Sequence, residues 1–254
     1  MLKENTIHLG DCLDLMPSIP SKSVDMILCD LPYGTTECSW DSIIDMGKLW
    51  QEYERVIKDN GVIVLTAQGV FCADLIAYKR HWFNHDYVWI KNMHSNFALA
   101  GIQPFRVFEN ILIFRRPKSG RHTFNFDNRI KRVSIKNKNA FANVMYGNDT
   151  RKKKRENKDY ISKEYENYPR NVLYFDCERG QHPTQKPVAL FEYLIRTYSN
   201  EGEVILDNCS GSGTTAIACL NSNRQFICME KDETYYKASL ERIANHEPLL
   251  HLGK

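Results

Sequence analysis

The tetrapeptide Asp30-Leu31-Pro32-Tyr33 puts a carboxylate, a carbonyl oxygen held rigid by the following proline, and an aromatic face within four positions. Those three groups suit a planar amine. An aromatic NH2 is a poor nucleophile while its lone pair is delocalised into the ring. Two acceptors aimed at its protons draw the nitrogen toward tetrahedral geometry, and a stacked ring fixes its plane. In isolation such a tetrapeptide is more often a proline turn with a core tyrosine, so the rest of the chain must decide its meaning.

A second group lies near the other end of the chain, in the run Asp207-Asn-Cys-Ser-Gly-Ser-Gly213. Its glycines allow a backbone to approach a ligand closely, and Asp207 can accept hydrogen bonds from a ligand cation. Glu230 stands 23 positions after Asp207, where an acid closing the next strand can accept both hydroxyls of a ribose. The pair points to a nucleoside cofactor and does not by itself separate NAD from S-adenosylmethionine. A phosphate loop of the Walker type is excluded, since Gly211-Ser-Gly213-Thr214-Thr215 lacks the Gly-Lys-Ser/Thr ending that reaches phosphates and magnesium.

These groups need elements to hold them. The apolar run Val24 to Cys29 stops at the tetrapeptide, as a buried strand emptying into a loop does. Leu49, Tyr53, Val56 and Ile57 recur at helical spacing, and Asn60-Gly61 supplies a helix stop before a strand over 62–66. A helix around 71–78 precedes strands over 87–90 and 108–114. Pro187 opens a helix carrying Leu190, Leu194 and Ile195. A strand over 204–206, the 207–213 loop, a helix from Thr214 to about Leu220, a strand ending at Glu230 and a final helix complete the chain. The alternation predicts an α/β fold with a mostly parallel sheet and helices on its faces.

With 254 residues, 43% hydrophobic and 26% charged, the chain has enough apolar material for a sizeable core without a disulfide or metal staple, which excludes a wholly disordered protein. No apolar run approaches the roughly 18 residues of a membrane span, and the start MLKENTIHLGD has no signal-like stretch, so a cytoplasmic location is expected. The eight cysteines include no CxxC pair and read as small buried hydrophobes, with no metal expected. The net charge of +3 conceals an asymmetry. Positions 115–155 hold 14 Lys plus Arg against Asp127 and Asp149, a local +12 that leaves −9 for the remainder. Arg151, Lys152, Lys153, Lys154 and Arg155 are consecutive. Such concentration suits a polyanion-binding element, because each neutralised phosphate releases condensed counterions; the bland alternative is a solvated surface excursion, but length and charge favour a nucleic-acid contact.

Asp30-Leu31-Pro32-Tyr33, His182-Pro-Thr184-Gln-Lys186-Pro187 and the 207–215 run together resemble the amino-methyltransferases that modify DNA bases. Their order, with the catalytic motif first and the cofactor loop last, resembles the beta class of the N6-adenine and N4-cytosine family. The resemblance implies a doubly wound, mostly parallel Rossmann-like methyltransferase sheet with circularly permuted motif order. Residues 1–115 would form the catalytic half, 116–180 a basic target-recognition insertion and 181–254 the cofactor-binding half. By the same resemblance, Asp30 and the Leu31 carbonyl, held by Pro32, take the target amine, and Tyr33 stacks on a flipped base. Asp207, Cys209, Gly211 and Gly213 take the methionine part of S-adenosylmethionine, and Glu230 its ribose. The turn Gly10-Asp11-Cys12 contacts the cofactor's adenine, with Asp11 as acceptor. Thr184 and Lys186 neighbour the cofactor carboxylate. Leu31 replaces a commoner proline, which matters little if only its carbonyl acts. Cys209 replaces the usual aromatic of the loop, which bears on cofactor affinity.

The expected function is therefore S-adenosylmethionine-dependent, site-specific methylation of an exocyclic base amine in double-stranded DNA, with N6 of adenine ahead of N4 of cytosine. The target must be flipped, because a stacked amine cannot reach both acceptors and the donor. A homodimer and a cognate restriction endonuclease are candidate partners. A protein-glutamine methyltransferase carries its cofactor loop before its acceptor motif, the reverse of this chain. A catalytically dead DNA-binding module is disfavoured by intact Asp30, Tyr33, Asp207 and Glu230. His182 reads as structural. Trp40, Asp41 and positions 92–96 are candidates for lining the base pocket, with a packing role equally open.

Overall fold

The computed structural model describes residues 2–34, 43–95, 100–126, 132–135, 162–165, 169–178 and 185–246. Its strands are β1 (Thr6–Leu9), β2 (Val24–Cys29), β3 (Ile57–Ala67), β4 (Phe83–Ser95), β5 (Arg106–Arg115), β6 (Arg132–Ile135), β7 (Ser162–Tyr165), β8 (Val172–Tyr174), β9 (Val204–Asp207) and β10 (Gln225–Glu230). Eight of them form one sheet in the order β1-β10-β9-β2-β3-β5-β4-β8. Neighbours run parallel except where β5 lies antiparallel to both β3 and β4. The mostly parallel sheet expected from the alternation, doubly wound as the resemblance implies, is thus observed.

Helices α1 (Cys12–Leu15), α2 (Met46–Val56), α3 (Val70–Tyr78), α4 (Val188–Tyr198), α5 (Thr214–Asn221) and α6 (Glu233–Ala244) accompany the sheet. Alternate side chains of a strand point to opposite faces, so the fully apolar strands feed two cores. On one face Ile27, Cys29, Ile63 and Leu65 meet Leu49, Trp50, Tyr53 and Val56 of α2. On the other, Met26, Leu28, Val62 and Val64 meet Leu190, Phe191, Leu194 and Ile195 of α4.

Asp45 starts α2 by accepting the backbone N–H groups of Gly47 and Lys48, which satisfies two of the helix's unpaired donors. The helix ends at Val56, ahead of the stop expected at Asn60-Gly61. That dipeptide instead lies in an irregularity of β3, where Val24 pairs with Ile57 but Met26 pairs with Val62. Gly61 is demanded by close approach: a Cβ there would sit 2.7 Å from the Asp25 carbonyl oxygen. The sequence signal was a strand bulge with the appearance of a helix terminator.

Contacts divide the chain into a unit of residues 1–125 and 171–254 and a second unit of 126–170. In the second, β6 and β7 pair antiparallel, with Arg132 opposite Tyr165. Residues 116–125 and 171–178, on the flanks of the expected insertion, go with the sheet. Asn125 N donates to Thr197 O at 2.7 Å, and Trp89 Nε1 donates to Phe175 O at 2.8 Å. Cys12, Cys29, Cys219 and Cys228 are buried. No helix among the described residues is long and apolar enough to cross a membrane.

Candidate active site

The C-terminal ends of β1, β10, β9, β2 and β3 lie along one edge of the sheet, the edge at which open α/β sheets hold ligands. Because β5 runs the opposite way, its first residues reach this edge too, with Asn110 paired to Ala67 at the end of β3. Asp30 leaves the end of β2. Its Oδ1 accepts from the Tyr33 hydroxyl at 2.9 Å and from the Thr66 hydroxyl, and its Oδ2 accepts from Lys186 Nζ at 2.6 Å. A carboxylate offers about four lone-pair sites, so three donors leave one for a further proton. Burial pushes the Tyr33 hydroxyl well above the usual phenol range, with the Asp30 and Glu109 charges adding to it, so it stays a donor. The Tyr33 ring tilts by 32° against Phe71 at a centroid distance of 5.1 Å.

Lys186 immediately precedes Pro187, the residue that opens α4, and is held there by the cofactor-loop side of the site. Its carbonyl accepts from Thr214 Oγ1 at 3.3 Å, and the neighbouring Gln185 Oε1 accepts from Ser212 Oγ at 2.9 Å. The ammonium is buried between two carboxylates, 2.6 Å from Asp30 Oδ2 and 3.3 Å from Glu109 Oε2. Burial works against its charge, yet Asp30 and Glu109 together hold the ammonium above the ordinary lysine range. Glu109 Oε1 pairs in turn with Lys91 of β4. Asp30, Lys186, Glu109 and Lys91 therefore form a chain of alternating charge. A buried network of this kind is poor evidence of stability and is commoner at functional sites.

The 207–213 loop follows β9 and ends in Gly213, whose φ of 79° is the left-handed region that favours glycine. Asp207 is buried, its Oδ1 accepting from Cys209 N at 3.1 Å and its Oδ2 from the Thr215 hydroxyl. Burial pushes its carboxyl up to about 7 against those hydrogen bonds. Glu230, at the end of β10, is also raised by burial. It accepts from Gly211 N at 2.7 Å and from Asp232 N at 2.8 Å. A Cβ on Gly211 would meet nothing within 4 Å. Asp11 follows β1 and caps α1 through Leu13 N at 3.0 Å. Its burial opposes ionisation, but that N–H and Lys231 hold it below the usual carboxylate range. Gly10 N donates to Glu230 O, which ties this turn to the end of β10. The donor set fits the expected nucleoside cofactor: a buried acid without a cation, an acid with lone pairs left for hydroxyls, and open space over the loop.

Cys209 lies against the thiols of Cys12 and Cys29, so small side chains fill the position where an aromatic was expected. Asn92 accepts from Cys177 N at 2.8 Å and, with Lys91, lines a cleft of about 510 Å3 whose other wall is the 174–178 segment. Thr184, His182, Trp40, Asp41 and Asn96 lie outside the described residues, as do Arg151, Lys152, Lys153, Lys154 and Arg155. Sequence reasoning missed Thr66, Glu109 and Lys91. The available signals were a polar residue at the end of an apolar strand and a lone acid within one.

A family model described as DNA methylase matches residues 24–241. The DNA adenine methyltransferase YhdJ of Escherichia coli (strain K12) is 29% identical, over 98% of this chain and 86% of its own length. Two solved structures share the fold. The M1.HpyAVI–SAM complex has a TM-score of 0.61 at 22% identity, over 93% of this chain and 98% of its own. The PvuII DNA methyltransferase (cytosine-N4-specific) has a TM-score of 0.67 at 16% identity, over 97% of this chain and 89% of its own.

Proposed function

The chain belongs to the DNA methylase family that contains N6-adenine and N4-cytosine enzymes, and we propose that it transfers a methyl group from S-adenosylmethionine to N6 of an adenine flipped out of double-stranded DNA. The observation that carries this reading is a row of acids, Asp11, Glu230, Asp207 and Asp30, at the ends of four successive strands β1, β10, β9 and β2. Strands lie about 4.8 Å apart, so the row spans roughly 14 Å. A nucleoside cofactor laid across the first three acids brings its reactive end to the fourth.

In this reading Asp11 accepts from the cofactor's adenine amino group, Glu230 from its ribose and Asp207 from its ammonium. Gly211 leaves room for its chain beside Cys209 and Cys12, Gly213 turns the loop against Ser239 and Ile7, and Thr184 and Lys186 stand near its carboxylate. Bound there, S-adenosylmethionine supplies a methyl group on a sulfonium, an electrophile that needs alignment with a lone pair more than it needs a dedicated base. The remaining lone-pair site of Asp30 and the carbonyl of Leu31 accept the two amine protons, Pro32 fixes that carbonyl, and Tyr33 stacks on the base. Residues 116–180, with the run from Arg151 to Arg155, hold the DNA.

Adenine is preferred over cytosine because an aspartate opens the tetrapeptide, and because a relative named as an adenine methyltransferase aligns over nearly the whole chain. A purine also offers Tyr33 a larger stacking face, and leaving an A·T pair costs less than leaving G·C. Mass spectrometry of nucleosides from unmethylated duplex DNA treated with the protein and S-adenosylmethionine should show N6-methyladenine. Asp30→Ala should bind the cofactor and yield no methylated base. N4-methylcytosine alone would move the target to cytosine, and neither product from the wild type would overturn the reading.

A further inference from the structure

Glu109 Oε2 is a buried carboxylate oxygen at ion-pair distance from Lys186 Nζ, 3.3 Å, but without hydrogen-bond geometry to any group among the described residues. Its sister oxygen is held by Lys91, so the carboxylate is anchored at one end and open at the other. Lys186 Nζ meanwhile makes its short contact, 2.6 Å, with Asp30 Oδ2. The ammonium thus occupies one acceptor site of the carboxylate that must receive the target amine, and a second seat stands unfilled within reach. Buried acceptors are ordinarily hydrogen-bonded, so this loosely held oxygen calls for an explanation.

Resting on the amino-methyl transfer reading above, we propose that Glu109 is a positioning residue which takes the Lys186 ammonium from Asp30 when the target amine arrives. A shift of under about 1 Å in the distance to Oε2 completes a charge-assisted hydrogen bond there and clears Asp30 Oδ2, whose one remaining lone pair the amine would otherwise have to use beside the ammonium. The ammonium never loses its ion pairing, since both seats are carboxylates, and Lys91 keeps the far carboxylate from following it. While no base is present the ammonium stays on Asp30, which holds the side chain in the orientation the amine needs. Glu109 touches neither substrate nor cofactor in this scheme and acts through Lys186 alone.

The test measures the single-turnover rate of tritiated methyl transfer from S-adenosylmethionine to polymerase-amplified genomic DNA, at saturating cofactor and DNA. Glu109→Gln removes the second seat's charge and should lower the rate tenfold or more, while the Kd for cofactor and the KM for DNA move less than threefold. Glu109→Asp, which keeps the charge at shorter reach, should recover part of the rate. In a Lys186→Met background, Glu109→Gln should cost nothing further, because the group it acts through is gone. A rate within twofold of wild type in Glu109→Gln would overturn the proposal, as would losses that multiply in the double variant. If Glu109→Gln fails to fold, Glu109→Ala takes its place, and a rate in it within twofold of wild type overturns the proposal. Absence of any incorporation by the wild-type protein would overturn the underlying reading, a result distinct from normal turnover in the Glu109 variants.

Discussion

Asp207 and Asp30 are two aspartates on adjacent strands with opposite electrostatic situations. Asp30 has a buried ammonium against it, whereas Asp207 has only neutral donors among the described residues, and burial raises its carboxyl to about 7. An acid whose folded-state value lies above its ordinary 3.8 stabilises the fold fully at low pH and loses that contribution as pH rises through about 7. The near-isosteric Asp207→Asn should therefore make the ligand-free protein more stable at pH 8, by something on the order of a few kcal/mol, with the gap narrower at pH 5 and closed only below the ordinary value of 3.8. Thermal melts at the two pH values check this, and a variant less stable than wild type at pH 8 would refute it. The same residue should lose cofactor affinity below pH 7, where protonation removes the charge that an ammonium would pair with. Calorimetry should show that pH dependence flattened in Asp207→Asn.

At the scale of elements, the site depends on where strands end. β3 is placed by the irregularity at residues 58–61, through which Thr66 reaches the carboxylate of Asp30 at the end of the neighbouring strand. Asp25 stitches three strands here: its Oδ1 takes Lys58 Nζ at 2.7 Å and its Oδ2 takes Val204 N at 3.0 Å. Gly61→Ala would drive a methyl group to 2.7 Å from the Asp25 carbonyl and from Ile57. The expected cost is about 1–3 kcal/mol, the usual penalty of overpacking, read as a lower midpoint in urea. An unchanged midpoint would mean that β3 shifts without strain. If the strand shifts, Thr66 moves with it and turnover should fall beyond what the lost stability explains.

At the scale of the molecule, the proposed reading gives the cofactor to the acid row and the DNA to the basic segment. Replacing Arg151, Lys152, Lys153, Lys154 and Arg155 by alanine should weaken binding to all duplex sequences about equally. If every one of them meets a phosphate, the slope of log affinity against log salt should flatten by up to about 4.5. Fluorescence anisotropy at several salt concentrations checks this, and an unchanged slope would make the run a solvated face. What the sequence determined by itself was whatever depends on neighbours along the chain. The tetrapeptide Asp30-Leu31-Pro32-Tyr33, the glycine-bearing turn and the acid closing the next strand are each local, and their order along the chain sufficed to place them in a family. The strand-helix alternation is equally local, because burial on two faces leaves its period in the residues. The Asn60-Gly61 dipeptide shows the limit, since a turn signal reads alike whether it ends a helix or bends a strand. Only the tertiary structure could decide that Asp30, Thr66, Lys91, Glu109 and Lys186 share one site. Their spacings carry no period, and their proximity follows from β5 inserting antiparallel between β3 and β4, so that a residue near the start of one strand meets residues at the ends of its neighbours.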